Sequence, residues 1–211
     1  MICFRRGHNF KKVGAISIIN EVKEADLIRQ EINDLIKKHN LSYIKDVTPQ
    51  DIDNDLEYSV KLANDSKADF YFSIHFNAHA FSNLPRGCEV WTYNTKLEQA
   101  IRVCDNLEKL GFKNRGIKHN PKFYELKYTK CKAMIIEVCF VDSVADVNTY
   151  QSVGYKKVAK AILEGVIGFK LNDTNVTDKM YNVYFAKNLS LDNANKQVKY
   201  LDLKGVKAFI E

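Results

Sequence analysis

Three ionisable side chains interrupt or directly follow apolar segments, and their chemistry needs an explanation. His8 follows the first strand-like segment, His75 lies within a second apolar run (DFYFSIHFNA), and Glu137 is in the middle of a third (AMIIEVCF). A carboxylate in a dry strand is costly unless it is paired or held near a cation. Histidines and a carboxylate at strand ends would suit a catalytic zinc ion, which usually takes three protein ligands and keeps a fourth position open for water.

Two histidines leave one zinc ligand to be found, and the first predicted helix supplies two candidates. Glu21 and Glu24 both stand at the start of this helix, where acidic side chains also interact favourably with the helix dipole. Either of them could be the third ligand. Glu137 would then not bind the metal and could act as a general base. A single histidine or first-turn glutamate is more often structural, so the prediction depends on the whole set.

Strand-like and helix-like segments alternate over the first 170 residues and would position these side chains. Strands are predicted over 2–6, 42–47, 69–77, 87–93 and 133–140, and helices over 21–39, 56–63, 96–110 and 154–169. The nearly continuous apolar run at 133–140 is typical of a central strand that is covered on both faces. This alternation predicts an α/β fold, a three-layer sandwich with a mainly parallel twisted sheet.

The residues singled out above resemble those of a known family, the zinc-dependent N-acetylmuramoyl-L-alanine amidases of bacteria and their phages. The resemblance covers nearly all of residues 1–170, and the motifs come in the expected order. The matching residues are Gly7-His8-Asn9, Gly14-Ala15 followed by Glu21, SIHFNA at 73–78, and IEVCF at 136–140. NRGIK at 114–118 and YEL at 124–126 also resemble the family's loop before the strand that carries the catalytic glutamate.

This resemblance implies an activity, a cofactor and a set of site residues. It implies one zinc ion per chain, bound by His8, Glu21 and His75, with Glu137 as the catalytic acid and base. The implied substrate is peptidoglycan. The implied reaction is hydrolysis of the amide bond between the lactyl group of N-acetylmuramic acid and the L-alanine of the stem peptide.

Two alternatives stay open at the level of the sequence. The family's ligand glutamate is usually followed four positions on by Asn or another small polar residue, but Ala25 stands there, so Glu24 remains an alternative to Glu21. Zinc ligands alone do not specify which amide is cut, so a zinc peptidase acting on the stem peptide is a second hypothesis. A wall-binding protein without activity is a third, although binding alone does not require a buried general base at Glu137.

The C-terminal part of the chain differs in character from the first 170 residues. We interpret the polar segment 171–180 as a linker and 181–211 as a β-α-β unit that resembles half of a SPOR domain, a peptidoglycan-binding module. The matching residues are Tyr181, Val183, Ala194, Leu201, Gly205, Ala208 and Ile210. Half a module leaves an apolar sheet edge and helix face uncovered. We therefore predict that two chains pair these units in a homodimer, with residues 1–170 as the catalytic domain.

Composition and charge exclude some partners and leave the cellular setting open. The net charge of +6 is modest, and no basic run with interleaved aromatic residues favours nucleic acid. No apolar run approaches the roughly 20 residues that cross a bilayer, and no signal peptide is evident. We expect synthesis in the cytoplasm and action on the cell wall after release, either as a phage endolysin at holin-dependent lysis or as an autolysin at mother-cell lysis.

Overall fold

Six strands form one sheet in the computed structural model, which describes residues 1–172. They are β1 (Ile2–Arg6), β2 (Ile44–Asp46), β3 (Phe70–Asn77), β4 (Cys88–Thr92), β5 (Asn114–His119) and β6 (Lys132–Phe140). Their order across the sheet is β2-β1-β3-β6-β4-β5. Every pairing is parallel except that of β4 with β6. The predicted mainly parallel α/β fold is therefore confirmed, and the apolar strand β6 lies inside the sheet as expected.

Helices cover both faces of this sheet. They are α1 (Glu21–Lys38), α2 (Asp55–Asp65), α3 (Glu98–Lys109), α4 (Tyr124–Tyr128), α5 (Val144–Val153) and α6 (Tyr155–Ile167). Helices α1 and α3 both pack on α6 over the larger core, whereas α2 and α4 contact each other on the opposite face. Among these helices, none combines the length and the apolar character that a membrane span requires.

The alternation of side chains along β3 determines on which face of the sheet the imidazole of His75 lies. Phe72 and Ile74 point into the larger core beneath α1, α3 and α6. Tyr71, Ser73 and His75 point to the other face, because successive residues of a strand alternate between faces. The core on that face is small, and Tyr71 belongs to it. His75 thus emerges near the carboxyl end of β3, on the face covered by α2 and α4.

The strand register brings two glutamates alongside this histidine. Glu137 on β6 is the cross-strand partner of His75 on β3 and of Glu89 on β4. Side chains of cross-strand partners lie on the same face of a sheet. The three residues therefore form a row across β3, β6 and β4.

The start of α1 determines where the acidic residues of its first turn lie. The side chain of Asn20 accepts a hydrogen bond from the backbone N–H of Lys23 (3.2 Å), which is the usual interaction of an N-cap residue. Glu21 is then the first helical residue, and the helix ends at Lys38, as the periodicity predicted to within one residue. This places Glu21 at the buried end of the helix that faces β3.

Three elements differ from the predictions. Residues 114–118, which we expected to form a loop, lie in edge strand β5, and residues 124–126 begin the short helix α4. Helix α5 was not predicted. The β5 sequence NRGIKH shows no apolar alternation, and its Gly116 has a positive φ of 73°. Such an irregular, charged strand is typical of a sheet edge, where only one side is hydrogen-bonded.

The first compact unit of the chain is Met1–Leu171. The predicted unit 181–211 and all but the first two residues of the predicted linker 171–180 lie outside the described residues. The assignment of 1–170 as a catalytic domain, the linker and the half-SPOR resemblance therefore stay predictions.

Candidate active site

The structure brings three of the predicted site residues together at the carboxyl ends of β1 and β3. His8, Glu21 and His75 each offer one donor atom, and these atoms all lie within 4.8 Å of one another. Glu21 Oε1 is 3.4 Å from His8 Nε2 and 3.0 Å from His75 Nδ1. Glu24, the alternative ligand, lies elsewhere, and its Oε2 accepts a hydrogen bond from the hydroxyl of Tyr150 (3.0 Å). The geometry thus groups Glu21, not Glu24, with the two histidines.

Two glycines without side chains make room for the donor side chains of His8, Glu21 and His75. A Cβ atom on Gly7 would lie 2.3 Å from Cε1 of His75, and a Cβ atom on Gly14 would lie 2.3 Å from Oε2 of Glu21. Gly14 also has a φ of +70°, and His8 itself has a φ of +56°. Positive φ is uncommon outside glycine, and such strained backbone clusters at functional sites. The backbone before α1 is therefore shaped around the three donor side chains.

The Glu21 carboxylate is held in one orientation by the backbone. Its Oε1 accepts a hydrogen bond from the N–H of Phe76 (3.2 Å), and its Oε2 accepts one from the N–H of Ala15 (2.8 Å). Burial would raise the pKa of Glu21, but the hydrogen bond and charge of His75, the charge of His8 and the Ala15 N–H together lower it. The buried carboxylate is therefore ionised and fixed between the two imidazole rings.

Glu137 lies beside this group and carries an unsatisfied oxygen. Its Oε2 is buried and has no hydrogen-bond partner among residues 1–172. Burial raises the pKa of Glu137 to about 7, the negative charges of Glu21 and Glu89 act in the same direction, and His75 opposes them. A carboxyl group with a pKa near neutrality can both accept and return a proton, as a catalytic acid and base must.

A second buried glutamate borders the site on the side of β4. Glu89 accepts hydrogen bonds from Nδ2 of Asn77 (2.8 Å) and from Nε of Arg115 (2.6 Å). The guanidinium of Arg115 also lies over the ring of Phe140, 5.1 Å from its centroid. Sequence reasoning did not single out Glu89, although it interrupts the apolar strand GCEVWTY much as Glu137 interrupts AMIIEVCF.

A third glutamate lies behind His75, and the sequence did not indicate this position for it, although its YEL segment was part of the family resemblance. Glu125 on α4 is buried, and its Oε2 is 3.6 Å from Nε2 of His75. Burial alone would lower the pKa of His75, but the contacts with Glu125 and Glu21 outweigh it and raise the pKa to about 10. Burial likewise opposes ionisation of Glu125, but His75, Arg5 and Tyr71 bring its pKa down to about 2. Each of the two side chains thus favours the charged form of the other.

Fold and site together define a class of protein. Two imidazoles and one carboxylate lie together at the carboxyl edge of an α/β sheet, where they could hold a metal ion, and a further carboxylate lies beside them. Residues 2–168 match the model of the N-acetylmuramoyl-L-alanine amidase family, Amidase_3. The chain therefore belongs to this amidase family.

Curated relatives match the same part of the chain. An uncharacterized protein of Clostridium perfringens (strain 13) is 39% identical over 174 residues, which cover 78% of this chain and 51% of that protein. The N-acetylmuramoyl-L-alanine amidase LytC of Bacillus subtilis (strain 168) is 30% identical over 174 residues, which cover 77% of this chain and 34% of LytC. The chain thus spans about half the length of the first of these relatives and a third of LytC.

Solved structures agree with the fold. The catalytic domain of the CD27L endolysin targeting Clostridia difficile superimposes with a TM-score of 0.70 and 28% identity, over 81% of this chain and 98% of that domain. The amidase AmiC2 of Nostoc punctiforme has a TM-score of 0.68 and 22% identity, over 80% of this chain and 96% of that one. The second likeness supports the shared fold alone.

Proposed function

We propose that this chain is a zinc-dependent N-acetylmuramoyl-L-alanine amidase that hydrolyses the bond between the lactyl group of N-acetylmuramic acid and the L-alanine of the peptidoglycan stem peptide. Membership of the amidase family supports the reaction. The observation that carries the proposal is the convergence of the donors of His8, Glu21 and His75 beside the buried Oε2 of Glu137, which has no hydrogen-bond partner among the described residues.

The donor set fits zinc. Two imidazole nitrogens and one carboxylate oxygen are a usual ligand set for catalytic zinc. The fit also rests on Gly7 and Gly14, where any side chain would collide with the donor residues. When bound, zinc supplies Lewis acidity that polarises the amide carbonyl and makes water a stronger acid. His8, Glu21 and His75 would hold it.

Glu137 performs the proton transfers in this proposal. Its carboxylate takes one proton from the water that attacks the amide carbon, and the C–N bond then breaks. Glu137 returns that proton to the departing nitrogen of L-alanine, so the products are a lactyl carboxylic acid, which ionises at neutral pH, and a free amine. Burial raises the pKa of Glu137 to about 7 in the metal-free protein, and a bound cation would favour its ionised form, which is the form that first takes the proton.

Analysis of the digestion products tests the reaction. Purified peptidoglycan is treated with the wild-type protein, with Glu137→Gln and with Glu24→Gln, and the fragments are identified by mass spectrometry. We expect stem peptides with a free L-alanine amine from the wild type and from Glu24→Gln. We expect a rate at least about 100-fold lower from Glu137→Gln, since general acid–base catalysis contributes roughly 10²- to 10⁴-fold.

The other outcomes separate the competing hypotheses. Cuts elsewhere in the stem peptide would make the protein a peptidase. An intact wall in the presence of zinc-loaded wild-type protein would favour a wall-binding role without catalysis. Metal analysis after dialysis against a chelator, followed by addition of zinc, tests the cofactor separately. Activity that survives complete metal removal would contradict the zinc proposal.

We also propose that residues 181–211 bind peptidoglycan and pair two chains in a homodimer. The support is the sequence resemblance to half of a SPOR domain, which would be completed by a second copy. Light scattering of the full chain at micromolar concentration tests the pairing, and a monomer would contradict it. Both an endolysin released at phage lysis and an autolysin released from a mother cell fit the activity, and the stage at which the chain is made distinguishes them.

A further inference from the structure

The imidazole of His75 has a different partner at each nitrogen. Its Nδ1 is 3.0 Å from Oε1 of Glu21, on the side of His8, whereas its Nε2 is 3.6 Å from Oε2 of Glu125. Nε2 is buried and lacks any closer hydrogen-bond partner within the described part of the chain. The two ring nitrogens therefore face two different carboxylates, one inside the donor group and one outside it.

The Glu125 carboxylate is fastened to the strand that carries His75. The hydroxyl of Tyr71 donates to its Oε1 (2.6 Å), and the hydroxyl of Ser73 donates to its Oε2 (3.2 Å). Tyr71 and Ser73 precede His75 on β3 at intervals of two residues, so all three side chains leave the same face of the strand. The position of Glu125 relative to the His75 ring is therefore set by β3 itself.

A buried arginine interacts electrostatically with this carboxylate and contacts the loop that carries His8. Arg5 is fully buried on β1, where its cross-strand partner is Ser73. Its guanidinium forms an ion pair with Asp55, and its Nη2 also donates to the backbone carbonyl of His8 (3.3 Å). Its positive charge also favours the ionised form of Glu125.

The composition of this network is hard to explain by stability alone. Buried charges cost free energy to desolvate, and apolar side chains of similar volume often stabilise such positions as well or better. A network of hydroxyls and charges in the small core beneath α4 instead provides directional contacts, which hold side chains in one geometry. The network meets the His75 ring through Glu125, at Nε2.

We propose that Glu125 is a positioning residue for the metal centre, and that it holds the His75 ring so that Nδ1 faces the metal. The inference rests on the proposed zinc site. When Nε2–H is donated to a carboxylate, the lone pair of Nδ1 is free for a metal and the ring plane is fixed. Loss of such a partner typically costs about 10- to 100-fold in metal affinity.

Metal affinity in a matched pair of variants tests this role. Glu125→Gln removes the charge with little change of shape. Glu164→Gln makes the same change at another buried glutamate, which lies on α6. Glu164 accepts hydrogen bonds from Lys170 Nζ (2.6 Å) and from the Leu171 N–H (2.9 Å). We expect zinc binding to be at least about tenfold weaker in Glu125→Gln. Glu164→Gln should bind zinc within a factor of about two of the wild type.

A purely structural role for Glu125 has a different signature. If Glu125 only fastens α4 to the sheet, Glu125→Gln lowers the melting temperature of the metal-free protein and leaves zinc affinity within twofold of wild type. That result would overturn the proposal. Zinc affinity is measured by competition with a chelator, and no substrate is needed.

A second measurement uses the wild-type protein and does not depend on the folding of any variant. Long-range ¹H–¹⁵N spectra of the zinc-loaded full chain report which nitrogen of each histidine carries a proton. We expect a proton on Nε2 of His75 and none on Nδ1, and the reverse would overturn the proposal. Failure of the wild type to bind zinc would instead contradict the proposed metal centre, so the two failures are distinguishable.

Discussion

Replacement of Gly14 by alanine should damage the metal site more than the fold. At a φ of +70°, an alanine costs about 1–2 kcal/mol of backbone strain. This corresponds to a loss of roughly 2–8 °C in melting temperature for a chain of this size. The new Cβ would also lie 2.3 Å from Oε2 of Glu21 and 2.5 Å from Cδ2 of His8, so these side chains must move. We expect zinc affinity to fall by at least about tenfold, as for loss of a supporting contact to a ligand.

Gly168→Ala is the matched control for this change. Gly168 ends α6 in the left-handed region with a φ of +86°, so the backbone penalty is similar. Its Cβ would approach Cζ of Arg102 only to 3.5 Å, an ordinary van der Waals contact. Both variants are compared by thermal melting without metal and by chelator competition for zinc. Equal zinc affinity in Gly14→Ala and Gly168→Ala would refute the argument that Gly14 makes room for the ligands.

Three further predictions concern charge and buried polar contacts. Because the pKa of His75 is raised to about 10 in the metal-free protein, zinc must displace a proton at neutral pH. The dissociation constant of zinc should therefore fall as pH rises from 6 to 9. Calorimetry that detects no proton release when zinc binds would contradict this prediction. Asp55→Asn leaves the buried charge of Arg5 unpaired and should lower the free energy of unfolding in urea by about 3–5 kcal/mol. A decrease below about 1 kcal/mol would show that the ion pair is not needed for stability. Asp146→Ala removes the acceptor of three backbone N–H groups, two before β4 and one at the end of β6, so hydrogen exchange should accelerate at those amides.

Most of the fold could be predicted because it follows from apolar periodicity. Strands β1, β3 and β6 and helices α1 and α6 were predicted to within one or two residues at each end. Strand β5 could not be predicted in this way, since an edge strand needs no continuous apolar face. Helix α5 was missed because buried residues occur among polar ones along VADVNTYQSV, without a clear apolar stripe.

The candidate site could be predicted only where a polar residue interrupts an apolar run. His75 and Glu137 stand out in this way. Glu21 and Glu24 were both candidates from their place at the start of the first helix, and the family resemblance favoured Glu21. Glu125 could not be found by the same signal, because it lies in a short polar helix and becomes a neighbour of His75 only when α4 packs on the sheet. The contact joins residues 50 positions apart, and no local pattern in the sequence encodes it.

The distribution of buried charge supports a cation at the donor group independently of the family. The two outer glutamates, on β4 and α4, each interact with an arginine of the same chain. Glu21 and Glu137 have histidines as their facing partners. Burial raises the pKa of Glu137 to about 7, and the negative charges of the neighbouring glutamates, Glu21 among them, act in the same direction. Mutual repulsion of buried carboxylates is costly in a medium of low dielectric constant. A divalent cation bound by Glu21 and the two histidines would offset that repulsion and favour the ionised form of Glu137, which is the form that accepts a proton from water.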